Sequence, residues 1–184
     1  MSTRAGQFTT LREVMDEVGR DAARFFFLMR KSDAHLEFDL DLAKKTSNEN
    51  PVYYVQYANA RIESIFRNAR EQGIKIKGIT EEGEGSGKTE INIGFLTLKE
   101  EMDIIKGIIH FYDTIEGSAK SLEPHRLTFY LINLVGRFHS YYNKVKVLGE
   151  DKGHTGARLL LLFVLQQVIK KCLDILGVSA PDKM

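Results

Sequence analysis

The chain has 184 residues, 26 Lys and Arg against 25 Asp and Glu, a formal net charge of +1, and is 43% hydrophobic. That is the composition of a globular protein with room for one sizeable domain and at most a small appendage. It excludes a bilayer span: the longest apolar run, Leu159–Leu165, is far short of the about 20 residues a span needs. Met1–Gly6 carries no apolar signal-peptide core, and the one cysteine, Cys172, has no internal partner for a disulfide. A reduced, cytoplasmic protein without a membrane partner is expected.

In chain order, Thr10 and Glu13 form a capping box, which predicts a helix over Leu11–Val18 ending at Gly19. Asp21 is read as the cap of a second helix, Ala22–Met29, whose Phe25-Phe26-Phe27 run cannot share one face and so calls for cover on more than one side. Between Arg30 and Lys45, Leu36, Phe38, Leu40 and Leu42 alternate with acids. That is a strand period, or an extended connector with a helical turn after Asp41. Asn50 as cap and Pro51 at the first helical position open a long helix to about Gln72, closed by Gly73.

Residues 73–94 read as a loose hairpin or loop, polar, acidic and Gly-rich between isoleucines. Gly83-Glu84-Gly85-Ser86-Gly87-Lys88-Thr89 is not a phosphate-binding loop: the motif needs glycine at 82, where Glu82 stands, and a strand feeding a helix. Thr97 with Glu100 starts a helix carrying Leu98, Met102, Ile105, Ile109 and Tyr112, ending near Glu116-Gly117. Pro124 sits at a first turn, and Leu127, Leu131, Leu134, Val135, Phe138, Tyr142 and Val145 give a third long amphipathic helix. Thr155–Leu176 is the last and most apolar helix, expected at the centre, with Gly177 beyond its end. The fold class is all-α: a helical bundle of four long helices behind a shorter helical N-terminal part.

No enzyme constellation emerges. The five histidines lack metal-ligand spacing, and His110, His125 and His139 read as surface or capping residues. Cys172 lies in an apolar helical pattern with nothing to pair it to a base. The aromatic and basic residues say more. At about 100° per residue, Val55, Ala58, Ile62, Ile65, Phe66 and Ala69 form a core stripe, and Tyr54, Tyr57 and Arg61 a second one roughly 90° away. Tyr141-Tyr142-Asn143-Lys144 with Lys146 adds an aromatic-basic patch. Such groups suit unpaired RNA bases and phosphate, or they cap the core with wet hydroxyls; periodicity leaves both open. Charge is also uneven: nine Lys/Arg against three Asp/Glu over Lys120–Lys171, and three against nine over Thr80–Ser118. That fits paired helix faces, or a basic surface for a polyanion.

The stretch Asn50-Pro51-Val52-Tyr53-Tyr54-Val55-Gln56-Tyr57-Ala58-Asn59-Ala60-Arg61 closely resembles the start of the DALR-type anticodon-binding domain of arginyl-tRNA synthetases. Met1–Gly6 resembles the remainder of the class I signature loop without its leading Lys, and Gly19–Phe25 the helix after it. His35–Ala43, Leu122–Leu127, Phe138–Asn143 and Leu176–Met184 are likewise similar to the family, in the family's order. The resemblance implies that residues 1–47 are a signature-loop remnant (Met1, Ser2, Thr3, Arg4) and a helical stem-contact segment. Residues 48–184 are then the anticodon-binding bundle, with 73–94 a variable insertion.

It implies a C-terminal fragment of an arginine–tRNA ligase, without the nucleotide-binding fold and inactive alone. The parent uses ATP and Mg²⁺; the fragment is expected to bind neither. The implied partner is the anticodon stem-loop of an arginine tRNA, not DNA or a membrane, met by a monomer. By position the resemblance assigns anticodon contacts to Asn50 with the Thr46–Asn50 turn, Tyr54, Tyr57, Arg61 and Met184. Asn59 stands where the family often has His, a departure from the family's pattern at one possible contact. The competing reading is a helical interaction protein that has kept the sequence and lost the RNA role.

Overall fold

A computed structural model describes residues 10–34, 37–75, 91–149 and 151–184. The expectations for Met1–Arg4, for His35 and Leu36, and for the Gly83–Thr89 segment fall outside these. Among the described residues eight α-helices follow in order: α1 (Leu11–Val18), α2 (Arg20–Leu28), α3 (Leu40–Lys44), α4 (Pro51–Glu71), α5 (Lys99–Ile109), α6 (Phe111–Ser121), α7 (His125–Lys144) and α8 (Lys152–Leu176). A 3-10 turn, Ile93–Phe95, precedes α5. The described residues contain no strand, so the period-2 pattern near Phe38 resolves into extended backbone and the short α3, capped by Asp39 accepting from the Leu42 amide.

The helix ends follow local chemistry. Thr10 and Glu13 close the capping box reciprocally on α1. Gly73 and Gly177 lie at φ +70° and +66°, where a Cβ is costly. Each ends its helix with a paired backbone closure, Ile74 N to Ala69 O and Val178 N to Leu173 O. Asp151 caps α8, which starts at Lys152, three residues ahead of the predicted start at Thr155.

The α8 helix is the centre of the bundle, as its apolarity predicts. Leu159, Leu162, Leu165, Ile169, Cys172 and Leu173 are fully buried, and α4, α5 and α7 pack around it. Phe25 enters the same core, while Phe26 and Phe27 clasp Phe38 at ring distances of 5.4 and 5.6 Å, so the triple-Phe run is indeed covered on more than one side.

Several local expectations are corrected. Asp21 does not cap α2. Gly19 stands at that end, and the Asp21 carboxylate reaches across to the C-terminal tail. The cap expected at Thr97 lies one residue later, at Leu98, whose amide donates to Glu101 Oε2 at 3.0 Å, and α5 starts at Lys99. It is then interrupted at His110, and α6 runs on to Ser121, where Leu122 takes a left-handed φ of +55°. The buried stripe shifts accordingly: Glu101, Ile104, Gly107 and Phe111 face inward, while Ile109 and Tyr112 are exposed.

Gly107 explains the register, because a Cβ there would meet Leu134 Cδ1 at 2.7 Å. Any side chain there would have to displace the buried Leu134 methyl, so glycine suits the close approach of α5 to α7. The uneven charge is partly resolved as pairing. Acidic α5 lies against basic α7 and α8, with Lys144 on Glu100 at 2.9 Å and Arg158 on the fully buried Glu101 at 2.9 Å.

Candidate nucleic-acid interface

The surface is organised by α4. At its head Asn50 is 4% exposed. Its Oδ1 accepts from the Val52 and Tyr53 amides, and its Nδ2 donates to the carbonyls of Ala43 and Lys45, both at 2.9 Å. The side chain is thus engaged within the protein on both ends, and it fixes the turn before α4 to the helix.

One turn down, helical spacing sets Tyr53, Tyr57 and Arg61 in one i, i+4 row. Tyr53 and Tyr57 stack at 5.9 Å with 13° between planes. Arg61 donates to the Tyr57 hydroxyl at 2.6 Å, and its guanidinium carbon lies 4.5 Å from the Tyr57 ring centre. From α7, the Tyr142 ring centre lies 4.4 Å from the same guanidinium carbon. A guanidinium between two rings has its orientation set by cation–π attraction, each contact worth about 0.5–2 kcal/mol depending on exposure. One N–H is bonded to the Tyr57 hydroxyl, and the other guanidinium N–H groups suit phosphate or a base edge.

Also from α7, His139 completes the surface. Its ring lies 4.5 Å from that of Tyr54 and 6.0 Å from that of Tyr57, the latter nearly parallel at 19°. Its Nε2 is 3.3 Å from the Tyr54 carbonyl oxygen. Burial, opposed by that hydrogen bond and reinforced by the Arg61 charge, holds the imidazole pKa below its ordinary value, so the ring is neutral at pH 7. Tyr54 itself is wedged between α4 and α7. A Cβ on Gly136 would sit 3.5 Å from its hydroxyl, and burial raises its phenol pKa.

Two further residues of α4 hold the C-terminal tail. Asn59 is fully buried, and its Nδ2 donates to the carbonyls of Ala180 at 3.3 Å and Pro181 at 2.8 Å. Gln56 Nε2 donates to Ser179 O at 3.0 Å and to Asp21 Oδ2 at 2.9 Å, while the same carboxylate accepts from the Ser179 amide at 3.1 Å. Asn59 therefore faces the tail rather than solvent. Met184, at the end of that tail, is 52% exposed.

Of the five residues assigned from sequence, Tyr54, Tyr57 and Arg61 gather on one side of α4. Asn50 is spent on the helix head, and Met184 rides on a tail bolted to the same helix. The Tyr141–Lys146 patch divides: Tyr141 is fully buried with an unpartnered hydroxyl, Lys144 is paired with Glu100, and Tyr142 alone joins the surface. His139 and His125 are each 8% exposed, against the expected surface or capping role. Tyr53 and His139 were missed. The i, i+4 spacing of Tyr53, Tyr57 and Arg61 would have revealed the first; nothing local reveals the second. Cys172 is sealed in the core, where burial pushes its thiol up to about 12, far from a nucleophile.

The model of the DALR anticodon binding domain matches residues 55–184 of this chain. The chain belongs to the DALR anticodon-binding domain family. The match takes in Tyr57, Arg61, His139, Tyr142 and the tail, and begins after Asn50, Tyr53 and Tyr54.

Relatives sharing this DALR region include the arginine–tRNA ligases of Syntrophotalea carbinolica, 53% identical, and Geobacter metallireducens, 54% identical, each matched over the whole chain. The chain spans about a third of their length, 32% and 31%. Among solved structures, the Thermus thermophilus arginyl-tRNA synthetase superposes with a TM-score of 0.70 at 25% identity, covering 99% of this chain and 29% of that one. A Campylobacter jejuni structure described as an arginyl-tRNA synthetase gives 0.76 at 28% identity, covering 100% and 37%. The helical bundle is thus the DALR fold, and the Tyr–Arg–Tyr stack is how this member furnishes one side of it.

Proposed function

We propose that this protein binds the anticodon stem-loop of an arginine tRNA, as the RNA-reading part of a cytoplasmic arginine–tRNA ligase. The observation that carries the reading is Arg61 held between the rings of Tyr57 and Tyr142, continuous with Tyr53 and His139. Unpaired loop bases are recognised by stacking on such rings, with backbone phosphate or a base edge taken by the guanidinium. Membership in the DALR family and the names of the long relatives support the same partner.

On this reading residues 48–184 are the anticodon-binding unit, residues 1–47 contact the stem, and one monomer meets one tRNA. Asn50 acts by holding the 46–50 turn, and Met184 offers an apolar contact beside the loop. ATP and Mg²⁺ serve the parent's adenylation chemistry. Among the described residues no group of three or more His, Cys, Asp and Glu is placed to hold a metal ion.

The test is a fluorescence-anisotropy titration with an arginine anticodon stem-loop at fixed salt, since salt alone moves such affinities. Tyr57→Ala is expected to weaken binding by about 1–3 kcal/mol, the worth of one stacked base. Equal binding by both proteins, or no preference over a scrambled loop, sinks the reading.

A further inference from the structure

We propose that His139 is a specificity-determining residue of this surface, its Nδ1 accepting a hydrogen bond from an N–H or O–H donor on an unpaired nucleotide stacked beside it. The proposal rests on the RNA-binding reading above and sharpens it.

The tautomer comes first. The Tyr54 carbonyl can only accept, so the His139 nitrogen 3.3 Å from it, Nε2, carries the proton. In a neutral imidazole the other nitrogen, Nδ1, is then an acceptor with its lone pair in the ring plane. Neutrality is favoured by burial and by the Arg61 charge nearby.

Access comes second. Among the described residues Nδ1 has no hydrogen-bond partner, yet the sealed side-chain polar atoms without partners are Asn59 Oδ1 and the Tyr141 hydroxyl. Nδ1 is therefore not sealed off and keeps some contact with solvent although the ring as a whole is buried.

Direction comes third. The imidazole is within 19° of the Tyr57 ring plane. A base stacked parallel to Tyr57 is then close to parallel to the imidazole too, and its in-plane donors can meet the in-plane lone pair edge to edge. An acceptor at this point selects for a donor and against a bare phosphate, which Arg61 is placed to take. The titratable and charged groups facing His139 are Tyr54, Tyr57 and Arg61, all from α4. A donor can come from a base amine or imino group or from a ribose 2′-hydroxyl, and both belong to the same chemistry.

The experiment measures anisotropy of an arginine anticodon stem-loop on the full chain at fixed salt, with Tyr57→Ala run alongside. His139→Phe keeps a ring against Tyr54 and Tyr57 but removes the acceptor. It is expected to weaken binding roughly three- to tenfold, the range for one hydrogen bond. Wild-type affinity is expected to fall as pH drops from 7.5 to 5.5, because protonation consumes the lone pair, and His139→Phe flattens that dependence. A rise in affinity on acidification would mean attraction by a charge rather than acceptance, and overturns the proposal; this arm stands even if the variant fails to fold.

Stem-loops with single 2′-deoxy positions, or with purines lacking an exocyclic amine, identify the donor, since one of them should absorb the His139→Phe penalty. A penalty that no loop substitution absorbs assigns His139 to packing alone and overturns the proposal. If His139→Phe binds as wild type while Tyr57→Ala is weak, the acceptor role fails and the RNA reading stands. If neither variant loses affinity, the RNA reading itself fails.

Discussion

Two polar sets on α4 are put to opposite uses. Gln56 and Asn59 face the C-terminal tail, are buried, and donate to its carbonyls. Tyr57 and Arg61, one residue and two residues further along respectively, are half-buried and satisfied chiefly by each other and by Tyr142. The first set needs its partners for the fold to close. The second is held in shape while its edges stay available. A polar side chain whose donors are taken up by buried backbone is a structural fastener, whereas one that is oriented but not consumed is a surface ready to bind.

The largest expected effect breaks the fastening side. Asn59→Ala leaves the Ala180 and Pro181 carbonyls without their donor, and should cost about 2–3 kcal/mol of unfolding free energy in a urea titration. A loss under about 0.5 kcal/mol would erase the distinction between the two sides. Tyr142→Ala should do the reverse. Stability should fall by less than about 1 kcal/mol, since the ring is partly exposed, while stem-loop affinity drops by about 1–2 kcal/mol as Arg61 loses one face. Arg61→Lys keeps the charge but not the planar fork. It should cost about 1 kcal/mol of affinity with melting temperature unchanged, and equal affinity would show that only charge matters.

The smallest effect is in pH. The folded chain holds the His139 pKa below the ordinary 6.5, so the unfolded chain binds more protons there. Its contribution is fully present above about pH 6.5 and is lost as pH falls through the folded value, leaving a shallow acid-side decline in the urea midpoint. His139→Phe should remove that decline.

The head of α4 was legible in the sequence because its signals are local: Asn50 and Pro51 act within one turn, and Gly73 and Gly177 answer a backbone demand at their own positions. The stripe of Tyr54, Tyr57 and Arg61 was legible for the same reason. What lay beyond reach was set by partners far along the chain. The break at His110 has no proline or glycine to announce it, and the register of α5 is decided by Leu134 against Gly107. Tyr141 and Tyr142 are adjacent, and only the placement of α4 and α8 decides which turns inward. The buried His139 owes its role to the Tyr54 carbonyl, and Asp21, a plausible cap in isolation, is drawn off by Ser179.

The composition also gives the stack an optical use. The chain has no tryptophan and seven tyrosines, and Tyr53, Tyr54, Tyr57 and Tyr142 all sit on or beside the Arg61 stack. More than half of the protein's intrinsic emitters are thus gathered on one face, with the remainder, among them the buried Tyr141, placed elsewhere. Bases stacking there would quench that emission directly, so the unlabelled protein carries its own fluorescent reporter of occupancy. Because no indole competes for the signal, a single Tyr53→Trp change would add a second colour at the rim.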